Sequence, residues 1–535
     1  MTRATHQFSQ TKTAEIPRSS FDLSHGLKTT FDAGLLIPIL SLEVLPGDTI
    51  NLRASLFGRL STPIKPTLDS LYLETFFFFT PWRQVWPNFI KMMGEQETPG
   101  DSIDFTVPTI SSSGPVTEGS IFDYMGLPLG LIPNDVNVSA LPFRCYNKIF
   151  NFWFRDENLV DPVVETTTDG PGHDGTTAYN IMSRRKRRDY ITSGLPFPQK
   201  GPAVTINLGQ TAEVIPDVSN LPVSNQPSFE IDDFTGVLRG EATSGNIATA
   251  VTSPTNSAVM NWLTSGLVAD LSTAEGITIN ELRESFQIQK LLERDARGGT
   301  RYPEILMSHF RVSDPSLLVH ARPLYLGGGS SRINITPVQQ TQQTTQTGGV
   351  PTPDTTPQGN LAGFGTVSGN NHGFTSSFTE HGHILGLVNV RADLTYQQGL
   401  ERYWSRQTRY DFYWPALSHL GEMAVKNSEV FVSNDSVIDD ATFSYMPRYD
   451  EYRFKQSQIT GLFRSDASAS LDVWHLAQDF TTLPVLNQAF IEDNPPIDRV
   501  VAVPSEPDLL LDVYFKIKAA RPLPLYATPG LIDHF

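Results

Sequence analysis

The sequence of 535 residues is poor in cysteine and in long apolar runs, and each shortage excludes a class of protein. Its single cysteine, Cys145, excludes an internal disulfide, so the fold does not depend on an oxidising compartment. The longest apolar runs, such as 34–40 and 75–79, are too short to span a bilayer, which predicts no membrane insertion. Residues 1–20 lack an apolar signal core, which favours synthesis in a cytoplasm.

Basic residues are also scarce. Lys and Arg number 40 against 57 Asp and Glu, so the formal net charge is 40 − 57 = −17. A chain that wraps DNA by its bulk charge is basic, because Lys and Arg neutralise phosphates. The composition therefore argues against a nucleic-acid-binding enzyme, and it leaves room only for a locally basic surface.

Alternating apolar and polar residues predict that strands form the core. Residues 509–518 and 49–58 each alternate in the manner of a strand with one buried face. The segment 68–79 ends in four consecutive phenylalanines, which predicts a strand covered on both faces. Further strands are predicted at 383–392 and 470–480. Strands near both ends of the chain favour one β core closed by terminal pairing.

Helices are expected to be few. Aromatic residues at helical spacing predict a helix at 142–159. A second helix is predicted at 278–296, with Leu282, Phe286 and Leu292 facing inward.

Two stretches have the composition of insertions. Residues 202–264 are rich in Pro, Asn, Ser, Thr and Gly and contain six acids and one base, which suits an exposed projection. Residues 336–370 consist largely of Gln, Thr, Pro and Gly with Asp354 as the one charge, which predicts a low-complexity variable loop. Long loops of this kind are usually either functional or disordered.

Motifs of catalysis and cofactor binding are weak. His381 and His383 have the spacing of cupin metal ligands, but 385–388 supplies no third ligand, so packing histidines are the favoured interpretation. The triple glycine 327–329 lacks the Lys-Ser/Thr of a phosphate-binding loop and is expected to form a turn. Neither a Ser/His/Asp order nor a GxSxG motif occurs. We therefore predict no enzyme activity, no metal and no cofactor.

Two clusters of charged and aromatic residues are the candidate contact sites. The densest basic run is a candidate DNA-facing patch, and a solvated loop or pairing with acids of a neighbouring subunit are the open alternatives. It consists of Arg184, Arg185, Lys186, Arg187 and Arg188. A second cluster is predicted to lie in a subunit interface, together with the C-terminal tail 520–535. Its residues are Arg402, Tyr403, Trp404, Arg406, Arg409, Tyr410 and Trp414, with His534 and Phe535 in the tail.

Six segments resemble, in the same order, the major capsid proteins of microviruses of the gokushovirus branch, which are small single-stranded DNA bacteriophages. They are LPFRCYNKIFNFWFRDENL at 141–159, RRKRRDYITSGLPFPQKGPAV at 184–204, QIQKLLERDARGGTRYPEIL at 287–306, RPLYLGGGSSRINITPV at 322–338, SFTEHGHILGLVNVRADLTYQQGLERYW at 377–404 and ARPLPLYATPGLIDHF at 520–535. The resemblance runs from about residue 20 to the end, outside the two insertions.

This resemblance implies a mainly β fold, an eight-stranded antiparallel jelly roll with long inserted loops and a few short helices. It implies one capsid domain over 1–535 with an N-terminal arm at 1–20. Sixty copies would form a T=1 icosahedral shell around circular single-stranded DNA, and a small basic viral DNA-binding protein would offset the charge of the DNA. The insertion 202–264 would form a protrusion at the threefold axis that meets a host cell-surface receptor.

Those implications place the protein in the virion, after synthesis in the cytoplasm of a host bacterium. Two alternatives are kept. A glycan-binding attachment protein would form small oligomers and not closed shells, and a cupin-like metalloenzyme would hold stoichiometric metal.

Overall fold

The computed structural model describes residues 17–172, 174–204, 279–312, 322–339 and 360–526, with four short strands between 213 and 270. The chain divides into two compact units. One consists of Met1–Pro198 and Asp295–Phe535, and the other of Gln199–Arg294. The sequence predicted one domain with an insertion at 202–264. The second unit, Gln199–Arg294, contains that stretch.

Nine strands of the first unit form one large antiparallel sheet. They are β1 (Ser19–Asp22), β2 (His25–Phe31), β3 (Ile37–Val44), β4 (Thr49–Leu60), β5 (Leu71–Pro81), β6 (Leu324–Gln339), β7 (Leu361–Ser377), β8 (Gly382–Ala392) and β9 (Leu509–Arg521). Because β1 and β2 pair with β9 one after the other, nine strands occupy eight positions. The predicted closure of the core by terminal pairing is confirmed. Ser19 and Ser20, predicted to belong to an N-terminal arm, are part of β1.

The strand order is that of a jelly roll. Across the sheet the positions run β1/β2, β9, β4, β7, β6, β5, β8 and β3. We call the first four the terminal half-sheet and the last four the central half-sheet. Successive strands along the chain alternate between the halves, except that β1 and β2 both belong to the terminal one and β5 and β6 both belong to the central one. The predicted antiparallel jelly roll is confirmed.

The two half-sheets share one hydrophobic core. Leu52 and Leu56 of β4, Val513 and Phe515 of β9, and Phe77 of β5 all belong to it. In β4 and β9 these apolar residues alternate with exposed ones, so the terminal half-sheet buries one face only.

Strands β5 and β8 of the central half-sheet are buried on both faces, whereas β6 is largely exposed. Phe78 of β5 and Leu385 of β8 point away from the shared core into a second cluster. Phe143 and Ile149 of helix α1 (Leu141–Ile149) cover them there. The run of phenylalanines in β5 therefore serves two cores, as the sequence predicted.

Helix α1 continues as one π-helical turn, Phe150–Phe154, so the helix predicted at 142–159 ends five residues early. Helices α2 (Ile279–Gly298) and α3 (Tyr302–Phe310) follow the inserted strands. The predicted inward face of α2 is wrong at Leu282 and Phe286, which are exposed. The remaining α-helices of the described ranges are single turns at Trp82–Val85, Phe89–Met92, Ile121–Tyr124, Pro133–Val136, Ser436–Asp439 and Gln488–Ile491.

Small strand pairs and 3₁₀ turns complete the described residues. The pairs are Ile110–Ser111 with Asp174–Gly175, Glu422–Lys426 with Thr442–Pro447, Glu213–Pro216 with Leu267–Asp270, and Ser228–Ile231 with Met260–Thr264. The turns are Thr176–Ala178, Arg402–Ser405, Arg409–Asp411, Pro415–Leu417, Asn427–Glu429, Asp450–Tyr452, Gly461–Phe463, Asp472–Trp474 and Ile497–Arg499.

Two sequence predictions of secondary structure are wrong, one at 470–480 and one at 336–370. The strand predicted at 470–480 is irregular and contains a 3₁₀ turn, Asp472–Trp474. The loop predicted at 336–370 belongs to β6 at its start and to β7 from Leu361 onward, while 340–359 lies outside the described residues.

The triple glycine lies inside β6 and not in the turn that the sequence predicted. A Cβ atom on Gly328 would approach the carbonyl oxygen of Thr75 in β5 to 2.0 Å. A Cβ atom on Gly373 in β7 would approach the carbonyl oxygen of Leu52 equally closely, at 2.0 Å. Glycine is therefore needed where the β6–β7 hairpin crosses from one half-sheet to the other.

Candidate assembly and nucleic-acid surfaces

The basic run 184–188 lies beside the central half-sheet, and one acid organises it. Glu74 of β5 accepts hydrogen bonds from Arg391 at 2.7 Å, Arg184 at 2.5 Å and Arg187 at 3.3 Å. Burial by itself would raise the pKa of the Glu74 carboxyl. The hydrogen bonds and charges of Arg184 and Arg391 outweigh burial and hold that pKa below its usual value.

Two further members of the run are also held inside the chain. Arg185 forms an ion pair with Asp156 at 3.0 Å. Lys186 is buried, and its Nζ donates to the carbonyl oxygen of Phe490 at 2.6 Å. Burial lowers the pKa of Lys186 to about 8. Lys186 therefore cannot face DNA in this structure, which corrects the interpretation of the run as one uniform patch.

The guanidinium groups border a cleft of about 480 Å³ with aromatic walls. Its aromatic residues are Phe76, Phe78, Trp153, Phe154 and Tyr325. Arg184 lies over the ring of Phe76, 4.8 Å from its centroid, and Arg188 is exposed at the rim. Arg187 and Arg188 keep the accessibility that a phosphate contact requires, so they remain the DNA-facing candidates of this run.

The two histidines of the cupin-like motif are separated by their surroundings. The Nε2 atom of His383 lies 2.9 Å from Ser41 Oγ, and its ring packs against Trp82. The ring of His381, half-buried, packs against Phe89 instead. Among the described residues, no group of three or more His, Cys, Asp or Glu side chains is placed to hold a metal ion.

His383 should make the fold acid-sensitive. Burial lowers its pKa to about 4, whereas an unfolded histidine titrates near 6.5. As pH falls from 6.5 to 4, the unfolded state takes up a proton that the folded state refuses, so stability is lost. We expect His383→Gln to remove about 2 kcal/mol of the stability difference between pH 7 and pH 5.

Urea unfolding of the dissociated subunit at both pH values measures this effect. The matched control is His25→Gln, at an exposed position of β2. If His383→Gln keeps the pH dependence of the wild-type protein, burial of a neutral imidazole is not its source.

Ion pairs anchor the aromatic-arginine segment 402–414 to the fold. Arg402 donates to the carbonyl oxygen of Ala424 at 2.8 Å and to Glu429 at 3.1 Å. Arg406 pairs with Glu451 at 3.2 Å. Burial raises the pKa of Glu429, although the charge of Arg402 acts in the opposite direction.

The rings of the same segment point to solvent. Trp404 is 67% exposed and Tyr410 is 63% exposed, and Tyr403 and Trp414 are exposed as well. Arg409 lies over the ring of Trp414 at 5.1 Å. The segment is therefore attached to the fold by largely buried ion pairs and presents an aromatic surface to solvent. His534 and Phe535, predicted to share an interface with it, lie outside the described residues.

Comparison with known proteins decides the family. A sequence profile described as capsid protein (F protein) matches residues 9–531. The chain belongs to this family of capsid proteins. Its members are structural proteins, so this capsid protein is a component of a microvirus-type phage virion and not an enzyme.

Three similar phage proteins each carry the name capsid protein VP1. The protein of Bdellovibrio phage phiMH2K is 42% identical over 99% of this chain and 98% of its own length. That of Chlamydia phage 1 is 38% identical over 98% of both chains. That of Spiroplasma virus 4 is 36% identical over 98% of this chain and 97% of its own length. None of the helices in the described ranges has the length and apolarity to cross a membrane.

Proposed function

We propose that sixty copies of this capsid protein, made in the cytoplasm of a host bacterium, close into a T=1 icosahedral shell. The observation that carries this proposal is the exposed aromatic surface of 402–414. Soluble monomers rarely expose contiguous apolar patches, and Trp, Tyr and Arg dominate the energetics of protein interfaces. A shell contact would bury these rings, with roughly 2,000 Å² or more in the whole interface.

The segment is suited to this role because ion pairs already hold its backbone in place in the unassembled subunit. Arg402 and Arg406 hold it through Glu429 and Glu451, so little ordering entropy is lost when neighbouring subunits meet. Electron microscopy and sedimentation of the purified protein test the proposal. Closed particles of one size support it, whereas small oligomers favour the attachment-protein alternative.

The shell encloses circular single-stranded DNA in this proposal. Net charge −17 means that DNA contacts must be local, so a small basic viral protein supplies most of the neutralising charge. Arg187 and Arg188, beside the aromatic cleft, are one candidate contact.

The inserted unit, Gln199–Arg294, is proposed to be the element that meets a host receptor. It includes the acidic stretch 202–264, and loops of such composition often carry recognition. Two antiparallel strand pairs give it structure of its own. A protrusion at a threefold axis would present three copies of it together.

Replacing 205–277 with a short Gly-Ser linker is expected to separate attachment from assembly. This deletion removes both strand pairs and keeps helix α2. We expect particles that form and hold DNA but adsorb to host cells at least tenfold less well. Particle yield, DNA content and adsorption are measured on the same preparation. Failure to assemble would show that the unit braces the shell, and normal adsorption would place recognition elsewhere.

A further inference from the structure

The two half-sheets differ in how their outer faces are covered. Helix α1 packs over the outer face of the central half-sheet. In the described part of the chain, the outer face of the terminal half-sheet is open. Phe57 of β4 is 57% exposed and Tyr514 of β9 is 54% exposed. Every second residue of β4 and β9 therefore points away from the core into solvent.

This open face is basic although the chain is acidic. Its outward charges are five bases and two acids from β1, β2, β4 and β9. The bases are Lys28, Arg53, Arg59, Lys516 and Lys518, and the acids are Asp22 and Asp512. A local excess of positive charge in a chain of net charge −17 indicates a polyanionic partner.

Strand pairing orders these groups into rows. Arg53 of β4 lies directly opposite Lys516 of β9, and Lys518 occupies the next outward position of β9. Like charges placed opposite each other repel, and a phosphate between them would remove that repulsion. On the other side of the charged rows comes Tyr514, followed by Phe57, which lies directly opposite Asp512. The face therefore has a charged end followed by two aromatic rings, with one acid beside the second ring.

The charged end is neutralised only in part from within, by Asp22 of β1, which lies directly opposite Lys518. In the ranges that the structure describes, Arg53, Lys516 and Lys518 form no ion pair, although Lys28 pairs with Asp512 at 3.5 Å. Hydrogen bonds from Ser24, and to a smaller extent the charges of Lys518 and Lys516, hold the pKa of Asp22 below its usual value.

Acids limit the surface at its other end. A groove of about 840 Å³ opens beside Phe57 and Arg59, and Asp32, Glu118 and Asp123 line it. These carboxylates would repel phosphates. The surface suited to a polyanion is therefore the part from Phe57 to Lys518.

We propose that this part of the terminal half-sheet binds unpaired DNA. Arg53, Lys516 and Lys518 contact phosphates, while Tyr514 and Phe57 stack on bases. The basic rows neutralise phosphates, which every nucleotide carries, and every base has a ring face on which an aromatic side chain can stack. The surface would therefore hold a circular genome without sequence preference. The inference rests on the proposed function, because it assigns the inner surface of the shell to this face.

The charges are tested through the salt dependence of binding. The probe is a fluorescently labelled oligothymidylate, titrated with full-length subunits kept below the assembly concentration. Each phosphate contact contributes about 0.7 to the slope of log K against log salt for a single strand. We expect the triple variant Arg53→Gln, Lys516→Gln, Lys518→Gln to reduce that slope by about 2.

The rings are tested by affinity at constant salt. Tyr514→Ser and Phe57→Ser should each weaken binding about tenfold and leave the slope unchanged, since stacking releases no counterions. If these side chains only supported the fold, their variants would not change the slope and the affinity at constant salt independently of each other. Thermal unfolding of each variant shows whether the subunit is still folded.

Two matched variants set the comparison. Lys426→Gln removes one exposed charge that pairs with Asp440 away from this face, and it should change neither quantity. Arg187→Gln with Arg188→Gln tests the rival contact. The inference is overturned if the triple variant keeps the wild-type slope, or if the Arg187→Gln, Arg188→Gln variant shows the reduced slope instead. It is also overturned if polyglutamate competes with the oligonucleotide as well as unlabelled DNA does. Wild-type protein that forms no shells would instead overturn the proposed function.

Discussion

Asp174→Asn is expected to destabilise the subunit by about 3–5 kcal/mol, which exceeds the effect of any other single change considered for this fold. The side chains of Arg144 and Asp174 are 2% and 0% exposed. Arg144 donates two hydrogen bonds to the carboxylate, at 2.7 and 2.8 Å. Asparagine would leave a buried guanidinium without its counter-charge, and that uncompensated charge is the cause of the loss.

The Arg144–Asp174 pair also determines where helix α1 lies. Arg144 is in α1, and its guanidinium also donates to the carbonyl oxygens of Val85 and Thr168. Tyr179 and Thr166 donate to the Asp174 carboxylate from the other side. Disruption of the pair should therefore expose the outer face of the central half-sheet, with a gain in binding of hydrophobic dyes.

The control for this prediction is Asp440→Asn. Asp440 pairs with Lys426 at 2.7 Å, but both side chains are well exposed, so the expected cost is at most about 1 kcal/mol. Urea unfolding of dissociated subunits measures both variants. Equal small losses would contradict the assignment of Arg144 and Asp174 as a buried pair that the fold needs.

The strands could be predicted because their pattern is local. Apolar and polar residues alternate in 49–58 and 509–518, as they do when one face of a strand packs on the core, and both segments are strands. The segment 470–480 shows the limit of that argument. Its backbone bonds locally, as from Trp474 to Leu471 and from His475 to Asp472, and alternation does not reveal whether a neighbouring strand exists.

The contact surfaces were harder to predict because their parts are distant in sequence. Five consecutive bases at 184–188 resemble a solvated patch, yet the acids that pair with them, Glu74, Asp156 and Asp393, lie far away along the chain. The open face of the terminal half-sheet was missed for the same reason. Arg53 and Lys516 are unremarkable until β4 pairs with β9, although the polar positions of the alternating pattern indicated that both point outward.

The double variant Trp404→Ser, Tyr410→Ser is expected to abolish closed shells while the subunit stays folded. Both rings are exposed, so the folded subunit loses little buried area when they are removed. Aromatic anchors at the centre of an interface contribute about 2 kcal/mol or more each, which is roughly thirtyfold in the association constant of every contact. Because each subunit repeats that contact throughout a symmetric shell, the losses accumulate and assembly stops at the wild-type protein concentration.

Sedimentation and electron microscopy at a fixed protein concentration measure this effect, and thermal unfolding reports on the fold. Tyr302→Ser is the matched control, since Tyr302 is equally exposed but lies in α3, away from 402–414 in sequence. We expect it to assemble normally. Conservative replacement, Trp404→Phe with Tyr410→Phe, should restore part of the shell yield, because it keeps most of the apolar area. Wild-type yield from the serine variant would show that these rings lie outside the subunit contacts, and the shell would then have to close through other surfaces.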